Sequence, residues 1–152
     1  MSGDNISDLP VLRHALIKSE KALSKKFDLV LMLQVTSPLR NVDHINKVIK
    51  KIVDGKYDSV WTISKVDKKF HPDKQLNIQN HKLNYFTIKG KKIIARQQLK
   101  ETYIRNGAAY CFTRNCILNK NILTNNSSYV LTKSRQISID TIQDLNIASK
   151  YF

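Results

Sequence analysis

A run of five apolar residues, Leu29, Val30, Leu31, Met32 and Leu33, is followed at once by the polar heptapeptide QVTSPLR at residues 34–40. An uninterrupted apolar run of this length predicts a parallel strand that is buried on both faces. In open α/β sheets, ligands bind beyond the carboxyl ends of such strands. The boundary between the run and the heptapeptide therefore predicts a ligand site at the end of a strand.

The residues after the heptapeptide predict a helix. Asn41 can start it, and Ile45, Val48, Ile49 and Ile52 recur at i, i+3, i+4 and i+7, which places them on one apolar face. Strand, polar turn and helix together make half of a βαβ unit.

Further elements follow from capping and apolar patterns. We expect a first helix from Asp8 or Leu9 to about Ser24 and a strand at residues 58–64. A core strand at 108–113, a short helix or turn at 115–123 and a brief strand at 129–131 follow. A closing helix at 141–152 begins at a Thr141–Asp144 capping box.

A hairpin is predicted at residues 83–95. Two β-prone runs, 83–88 and 91–95, flank Lys89 and Gly90, which we interpret as the turn. The runs carry more apolar surface than a two-stranded ribbon can cover alone, so we expect the hairpin to project and to support a homodimer.

Five motifs resemble one family. QVTSPLR differs from the QPTSPLR signature of the acylneuraminate cytidylyltransferases only at Val35, and four further segments match in the same order. These are FHPDK (70–74), ARQQL (95–99), YIRNGAAY (103–110) and SIDTIQDL (138–145). Residues 3–7 and 11–16 are also similar to the segment that precedes the signature strand. The resemblance covers nearly the whole chain.

The resemblance implies a fold. It is an α/β, Rossmann-like nucleotide-diphospho-sugar transferase fold, with a mixed sheet, helices on both faces and a projecting dimerisation hairpin. Residues 1–152 would form one domain, with a dimerisation element inserted at 71–103. The family's first strand and its RxGSK-like CTP loop have no counterpart here, so the chain resembles the latter two thirds of such an enzyme.

The resemblance also implies a function and a site. The function is transfer of CMP from CTP to a nonulosonic, sialic-type sugar acid, with release of pyrophosphate, and without the CTP loop we do not expect the chain alone to be active. The implied binding residues are Gln34, Ser37, Arg40, Lys74, Arg96 and Asn106, with Lys74 and Arg96 facing the partner subunit's site. Asp140 would hold Mg²⁺, although Ser138 stands where the family has a second aspartate. In the segment around Asn106, Ile104 stands where the family has an arginine.

Three of these assignments have structural alternatives. Gln34 can be a turn-capping amide, and Asn106-Gly107 can be an ordinary hairpin turn. Asp140 can be a helix N-terminal aspartate that binds backbone N–H groups. The chain as a whole has an alternative too: a non-catalytic remnant or dimerising module whose basic surface binds anions.

The formal net charge is +14, which favours an anionic partner. The lysines are scattered in pairs rather than gathered in a block, so a solvated surface explains most of the charge and nucleic acid is not the expected partner. The polar N-terminus does not resemble a secretory or transit peptide, and no apolar run approaches the roughly 20 residues of a membrane span. With two isolated cysteines, a reducing cytoplasm is the expected setting.

Overall fold

The computed structural model describes residues 6–133 and 136–152 and divides into two compact units. The first, here called the sheet unit, runs up to Ile63 and resumes at Arg105–Phe152. The second, here called the inserted unit, is Ser64–Ile104. The predicted element at residues 71–103 lies within the inserted unit, and its role in dimerisation stays a prediction.

The sheet unit contains four α-helices and a four-stranded sheet among its described residues. In chain order the elements are α1 (Asp8–Leu23), β1 (Leu29–Met32), α2 (Val42–Gly55), β2 (Ser59–Lys65), β5 (Tyr103–Thr113), α3 (Arg114–Asn119), β6 (Ser127–Leu131) and α4 (Ile142–Ala148). The inserted unit holds β3 (Leu76–Gln79) and β4 (Lys82–Tyr85), which form a separate hairpin. No helix in the described ranges is both long enough and apolar enough to cross a bilayer.

The sheet has the strand order β1-β5-β2-β6 and is mixed, as predicted. β2 pairs in parallel with β6, whereas β1 pairs with β5 in the antiparallel sense, with Leu29 opposite Thr113 and Met32 opposite Tyr110. The prediction that β1 pairs in parallel is wrong for this neighbour. An apolar run reports burial on both faces of a strand, and it does not fix the direction of the strand beside it.

Two apolar clusters cover opposite faces of the sheet. Leu16 of α1 and the α3 residues Cys116 and Ile117 pack with Tyr110 and Phe112 of β5 on one face. On the other face α2 packs on the sheet in a cluster of Val48, Ile52, Val60, Ala109 and Cys111. Successive strand residues point to opposite faces, so β5 contributes to both clusters. Full burial of each large side chain contributes about 1.5–3 kcal/mol, which makes these clusters the main stabilising contacts.

The hairpin of the inserted unit lies earlier in the sequence than predicted. Leu76 pairs with Tyr85 and Gln79 with Lys82, and the turn residues Asn80 and His81 have φ of 50° and 60°. Residues 83–95 do not form the expected hairpin, because Ile88–Lys92 is a 3₁₀ helix. Asparagine tolerates the left-handed region of a tight turn. Gly90 instead packs closely: an added Cβ would lie 2.6 Å from the Asp73 carbonyl oxygen.

Candidate functional site

The site is built where three strands of the sheet unit end. Because β5 runs opposite to β1, the start of β5 lies beside the end of β1, and the Gln34 N–H donates to the Gly107 carbonyl (3.3 Å). The Thr132 N–H, just past β6, donates to the Ile63 carbonyl (2.9 Å). The Asn106 side chain donates to Thr132 Oγ1 (2.9 Å), which links the start of β5 to the end of β6. Three strand ends are thereby held together at one edge.

The QVTSPLR segment forms a hydrogen-bonded turn at this edge. The Ser37 N–H donates to the Gln34 carbonyl (3.2 Å), and the Arg40 N–H donates to the Ser37 carbonyl (3.4 Å). Ser37 is 1% exposed, and its hydroxyl donates to the Asn106 carbonyl (3.1 Å). The turn is therefore fixed to the start of β5 by a buried side chain.

Arg40 fixes the same turn from its other end. Its Nη1 donates to the carbonyls of Gln34 (3.0 Å) and Ala108 (3.2 Å), which belong to the turn and to β5. These are charge-assisted hydrogen bonds to backbone groups. The guanidinium thus positions the site, and whether it also contacts substrate stays a prediction.

Gly107 makes room for Gln34. The glycine has a φ of +72°, and a Cβ built on it would overlap Gln34 Oε1 and Ser37 Oγ. Asn106 and Gly107 lie inside β5, so the alternative of a hairpin turn does not hold. A left-handed glycine within a strand marks a close approach between a backbone and another group. Here that group is the Gln34 carboxamide.

The amides of Gln34 and Asn106 differ in what they contact. Asn106 donates to Thr132, and its Oδ1 accepts from the Ala108 N–H (3.2 Å), so both ends of its side chain are engaged. The half-buried Gln34 carboxamide has no hydrogen-bond partner among residues 6–133 and 136–152. Of these two amides, Gln34 is therefore the one whose side chain has no hydrogen-bond partner among the described residues.

Two further residues complete this edge: Thr132, which the sequence analysis did not name, and Tyr110, which it named only within the motif YIRNGAAY. Thr132 is 8% exposed and lies far from Asn106 in sequence, so no local pattern signals their contact. The Tyr110 hydroxyl accepts from the Gly107 N–H (2.6 Å), and burial raises the pKa of this phenol. Tyr110 therefore supports the Gly107 backbone from within the core.

The segment before α4 lies against the QVTSPLR turn. The Ile139 N–H donates to the Thr36 carbonyl (2.8 Å), and the Ser138 hydroxyl lies 3.5 Å from that of Thr36. Asp140 is exposed next to this contact. The cap of α4 is made by Thr141 and Asp144, whose side chains each bind the other's backbone N–H. The hydrogen bond from the Thr141 hydroxyl lowers the pKa of Asp144.

This donor set does not make a Mg²⁺ site on its own. Asp140 offers one carboxylate, and the part of the chain that the structure describes contains no group of three or more His, Cys, Asp or Glu side chains that could hold a metal ion. Mg²⁺ in transferases takes one or two protein carboxylates together with substrate phosphates. Asp140 could be such a carboxylate, and the remaining ligands would have to come from elsewhere.

Lys74 and Arg96 lie in the inserted unit and line one cleft of about 260 Å³ together with Tyr85 and Ile94. Arg96 Nη2 also lies 3.4 Å from Asp67 Oδ1. The pKa of Asp67 is lowered, mainly by a hydrogen bond from the Lys69 N–H. The positive charges of Lys69 and Arg96 lower it further. The cleft thus presents two cations on a partly apolar wall.

A buried network positions Lys74. His71 is 4% exposed, and its Nδ1 accepts from the Asp73 N–H (3.1 Å). The Thr87 hydroxyl donates to the Asp73 carboxylate (2.6 Å) and accepts from the Gly90 N–H (3.1 Å). The short helix Pro72–Lys74 is therefore tied to the helix at Ile88–Lys92.

A further cleft of about 320 Å³ opens in the sheet unit at the start of α2, lined by His44, Lys47, Thr132 and Lys133 among others. Asn41 caps α2 by accepting from the His44 N–H (3.0 Å), and His44 Nδ1 accepts from the Asn41 N–H (3.3 Å). Burial lowers the pKa of His44. The sequence predicted the helix start at Asn41 and did not single out His44.

The mixed sheet with helices on both faces and a polar turn at its edge has the nucleotide-diphospho-sugar transferase fold. A Bacillus anthracis protein described as a glucose-1-phosphate thymidylyltransferase shares this fold, with a TM-score of 0.53 and 15% identity; the match covers 91% of this chain and 59% of that one. The chain is similar in sequence to members of the acylneuraminate cytidylyltransferase family, as the five motifs predicted. No protein-family model matches it.

Two curated relatives carry this conclusion. The post-translational flagellin modification protein B of Campylobacter coli is 25% identical over 150 residues, which are 97% of this chain and 62% of the relative. The N-acylneuraminate cytidylyltransferase of Streptococcus agalactiae serotype V is 27% identical over 109 residues, which are 72% of this chain and 26% of the relative. The chain thus spans less than two thirds of the length of either.

Proposed function

We propose that this chain takes part in transferring CMP from CTP to a nonulosonic, sialic-type sugar acid. A hydroxyl oxygen of the sugar would bond to the α-phosphorus of CTP, its proton would pass to solvent or a base, and the bond to the leaving pyrophosphate would break. Catalysis of such a step is mostly positioning and electrostatic stabilisation. The observation that carries the proposal is the Gln34 carboxamide, which lies over Gly107 at the strand edge without a hydrogen-bond partner among the described residues.

Gln34 would bind the nucleotide or the sugar through this carboxamide, which can both donate and accept. Ser37, Arg40 and Asn106 would act on the substrate mainly through Gln34, because their polar atoms hold the turn and the start of β5. Side chains fixed in this way need little reorganisation when substrate binds. The sheet unit would therefore bind the nucleotide or the sugar through an uncharged side chain, the Gln34 carboxamide.

The inserted unit would supply cationic groups. Lys74 and Arg96 line one cleft, and an arginine can grip a carboxylate or a phosphate through two parallel hydrogen bonds. In a homodimer these cations would serve the partner subunit's substrate. Mg²⁺ stays a proposal outside this scheme, with Asp140 as its one protein carboxylate.

The hairpin gives a reason to propose the homodimer. Its two cross-strand pairs Leu76–Tyr85 and Ile78–Leu83 share one face, since alternate strand residues point the same way. All four side chains are exposed, Ile78 by 74% and Leu83 by 70%. A contiguous apolar face of this kind marks an interaction surface, and a second copy of the hairpin would match it.

Isothermal titration of the chain with CTP, with CMP and with N-acetylneuraminic acid tests the proposal. We expect Gln34→Ala to weaken the binding of at least one of these ligands by about tenfold, because loss of the hydrogen bonds from one carboxamide typically changes affinity by about this factor. Gln79→Ala, an identical change on an exposed strand of the inserted unit, should leave binding unchanged. Unaltered binding in Gln34→Ala, or no binding of any of the three ligands, would refute the role of this edge.

The alternative function is a non-catalytic module that binds anions through its basic surface. It is favoured by the engagement of Ser37, Arg40 and Asn106 with the backbone and by the single carboxylate at Asp140. It predicts oligonucleotide binding with a steep salt dependence through counterion release. Sub-micromolar binding that persists near physiological salt would support this alternative, whereas weak binding that salt abolishes would favour the sugar-nucleotide function.

A further inference from the structure

Three lysines of the inserted unit lie on one short helix. A 3₁₀ helix has three residues per turn, so side chains three positions apart share one of its sides. In the helix Ile88–Lys92, the inward side is that of Gly90 and of Ile93, which follows the helix. Gly90 is buried, Ile93 is half-buried, and both line the cleft of about 260 Å³. The other two sides face solvent, and their side chains are all exposed: Ile88, Lys89, Lys91 and Lys92.

Two isoleucines flank these lysines and project from the surface. Ile88 is 85% exposed and Ile94 is 93% exposed, so the described chain covers almost none of either side chain. The backbone of Ile94 is fixed, because the Gln98 carboxamide oxygen accepts from the N–H groups of Ile94 (2.8 Å) and Ala95 (3.0 Å). Exposed apolar side chains scattered singly are ordinary, whereas here two of them lie beside three cations. These five residues are here called the lysine patch: Ile88, Lys89, Lys91, Lys92 and Ile94.

The lysines of the patch are not neutralised by a carboxylate. The inserted unit contains ten lysines and arginines and only three acidic residues. Each acidic residue has partners outside the patch: Lys69 and Arg96 for Asp67, Thr87 for Asp73, and Lys65 and Tyr103 for Glu101. No salt bridge among residues 6–133 and 136–152 includes Lys89, Lys91 or Lys92. Three like charges within four residues repel one another, and an anionic partner would relieve this repulsion.

The backbone under the patch is preformed. The Thr87 hydroxyl donates to the Asp73 carboxylate (2.6 Å) and accepts from the Gly90 N–H (3.1 Å), which fixes the start of the helix. An added Cβ at Gly90 would lie 2.6 Å from the Asp73 carbonyl oxygen, so the helix packs closely on the backbone beneath it. Because the backbone is held in this way, little of its conformational freedom is lost on binding.

We propose that the lysine patch binds the surface of an anionic lipid bilayer. The ammonium groups would lie at the lipid headgroups, and Ile88 and Ile94 would enter the boundary between headgroups and acyl chains. The charges are complementary, because anionic lipids give a bilayer a negative surface potential. Peripheral binding of this kind needs no membrane-spanning helix.

Two other occupants fit the patch less well. An oligonucleotide would pair its phosphates with the lysines and leave both isoleucines in water. A second copy of this chain would bring two identical lysine patches together in a symmetric contact, where like charges repel. The lipid surface engages both the cations and the apolar side chains of the patch.

The cations and the isoleucines each contribute part of the binding. A lysine near an anionic bilayer raises partitioning by about fivefold, so three lysines together contribute about 100-fold. Insertion of apolar side chains adds to this, and the combination gives reversible binding. CTP and a sugar acid take no part in it. Lipid binding can therefore fail while Gln34 still binds its ligand, and the reverse result is equally distinguishable.

Co-sedimentation of the intact chain with lipid vesicles tests the proposal. We expect the chain to bind mixed vesicles of phosphatidylcholine and phosphatidylglycerol, and to bind vesicles of phosphatidylcholine alone about tenfold more weakly or less. Raising the salt concentration from about 0.1 M to about 1 M shortens the Debye length from about 10 Å to about 3 Å, which should weaken binding to the mixed vesicles.

Two triple variants of equal net charge locate the binding surface. The first removes the charges of the patch and should weaken partitioning into mixed vesicles by about 100-fold. Its substitutions are Lys89→Gln, Lys91→Gln and Lys92→Gln. The control removes as many charges from exposed lysines of α1 and α2: Lys18→Gln, Lys21→Gln and Lys50→Gln. It should weaken partitioning by less than about fivefold, because salt screens charges that lie outside the contact.

Variants of Ile88 test the apolar part of the patch. Ile88→Ser should weaken partitioning by about fivefold, since the bilayer would bury part of this side chain. Ile142→Ser, at an isoleucine of α4 that is 74% exposed, should leave partitioning unchanged. The fluorescence of Ile88→Trp should be quenched by lipids with brominated acyl chains, and that of Ile142→Trp should not, with wild-type Trp61 as the background.

Four results would overturn the proposal. The first is equal binding to both kinds of vesicle, or binding to neither. The second is an equal loss in the two triple variants, which would assign the effect to net charge. The third is that Ile88→Ser binds mixed vesicles as tightly as wild type while an oligonucleotide competes for the patch, which would assign it to nucleic acid. The fourth is that Ile88→Ser converts a dimer into a monomer in light scattering, which would assign the patch to a second copy of this chain.

Discussion

The Gln34 carboxamide lies over the bare Cα of Gly107, and the space it occupies is the space that any side chain at position 107 would need. The contact joins the end of β1 to the start of β5, and it is backed by the Gly107 N–H, which donates to the buried Tyr110 hydroxyl. The orientation of the Gln34 carboxamide therefore depends on the absence of a side chain at position 107.

Gly107→Ala should destabilise the chain and displace Gln34. A φ of +72° costs a residue with a Cβ about 1–3 kcal/mol, and the overlap with Gln34 adds to this cost. Urea unfolding of Gly107→Ala, Gln34→Ala and the double variant measures both contributions. We expect part of the destabilisation to disappear in the Gln34→Ala background. Strictly additive effects would show that the two residues do not interact.

Arg40→Ala should lower the free energy of unfolding by about 2 kcal/mol, because two carbonyls lose a charged donor. Arg105→Ala, at an exposed arginine on β5, is the matched control and should change stability by less than about 0.5 kcal/mol. Chemical unfolding at neutral pH gives both values. Equal stabilities of the two variants would contradict the anchoring role of Arg40.

Ile78→Asp should produce a monomer from the proposed homodimer. The side chain is 74% exposed on the apolar face of the hairpin, so the charge would be buried against the second copy without disturbing the fold. Gln79→Asp puts the same charge on the opposite face of the same strand and should leave the dimer intact. Light scattering at tens of micromolar, roughly where dimers of micromolar affinity assemble, reports the mass. A monomeric wild-type chain would exclude the dimer.

Acid should destabilise the fold through Glu20. Arg114 binds its carboxylate through Nε (2.7 Å) and Nη2 (2.9 Å), and the Phe27 N–H adds a third bond (3.1 Å). The Arg114 hydrogen bond is the main cause that lowers the pKa of Glu20 from 4.5 to about 2. The folded pKa lies below the unfolded one, so this stabilisation is complete above pH 4.5 and is lost as the pH falls toward 2.

Melting temperatures between about pH 2 and about pH 7, a range that includes the folded and unfolded pKa values of Glu20, check this prediction. Glu20→Gln should melt lower than wild type at neutral pH and show a flatter decline in acid. Asp54→Asn, at an exposed carboxylate of α2, should follow the wild-type curve. Parallel curves for Glu20→Gln and wild type would remove Glu20 as the cause.

Local patterns predicted the elements that local chemistry determines. The apolar spacing and the Asn41 cap gave α2, and Thr141 with Asp144 gave the start of α4, because each depends on residues within one turn. The fold class and the resemblance to the family were predicted from five ordered motifs, and both are confirmed.

Other features depend on partners distant in sequence. The antiparallel β1–β5 pair joins residues about 80 positions apart, and the link from Asn106 to Thr132 spans 26 positions, so neither leaves a local pattern. The hairpin was misplaced because Lys89-Gly90 resembles a turn, while the structure uses Gly90 for close packing against Asp73. The substrate roles of the predicted site residues stay predictions.

The two clusters on opposite faces of the sheet also separate the two thiols. Cys111 belongs to one cluster and Cys116 to the other, and both are fully buried. Burial raises the pKa of both thiols, that of Cys111 to about 11, so neither is a ready nucleophile in the folded chain. Alkylation of either cysteine by a thiol reagent requires the sheet to open. The rate of that alkylation therefore reports how often the sheet opens, and it can be measured on the native cysteines without an engineered label.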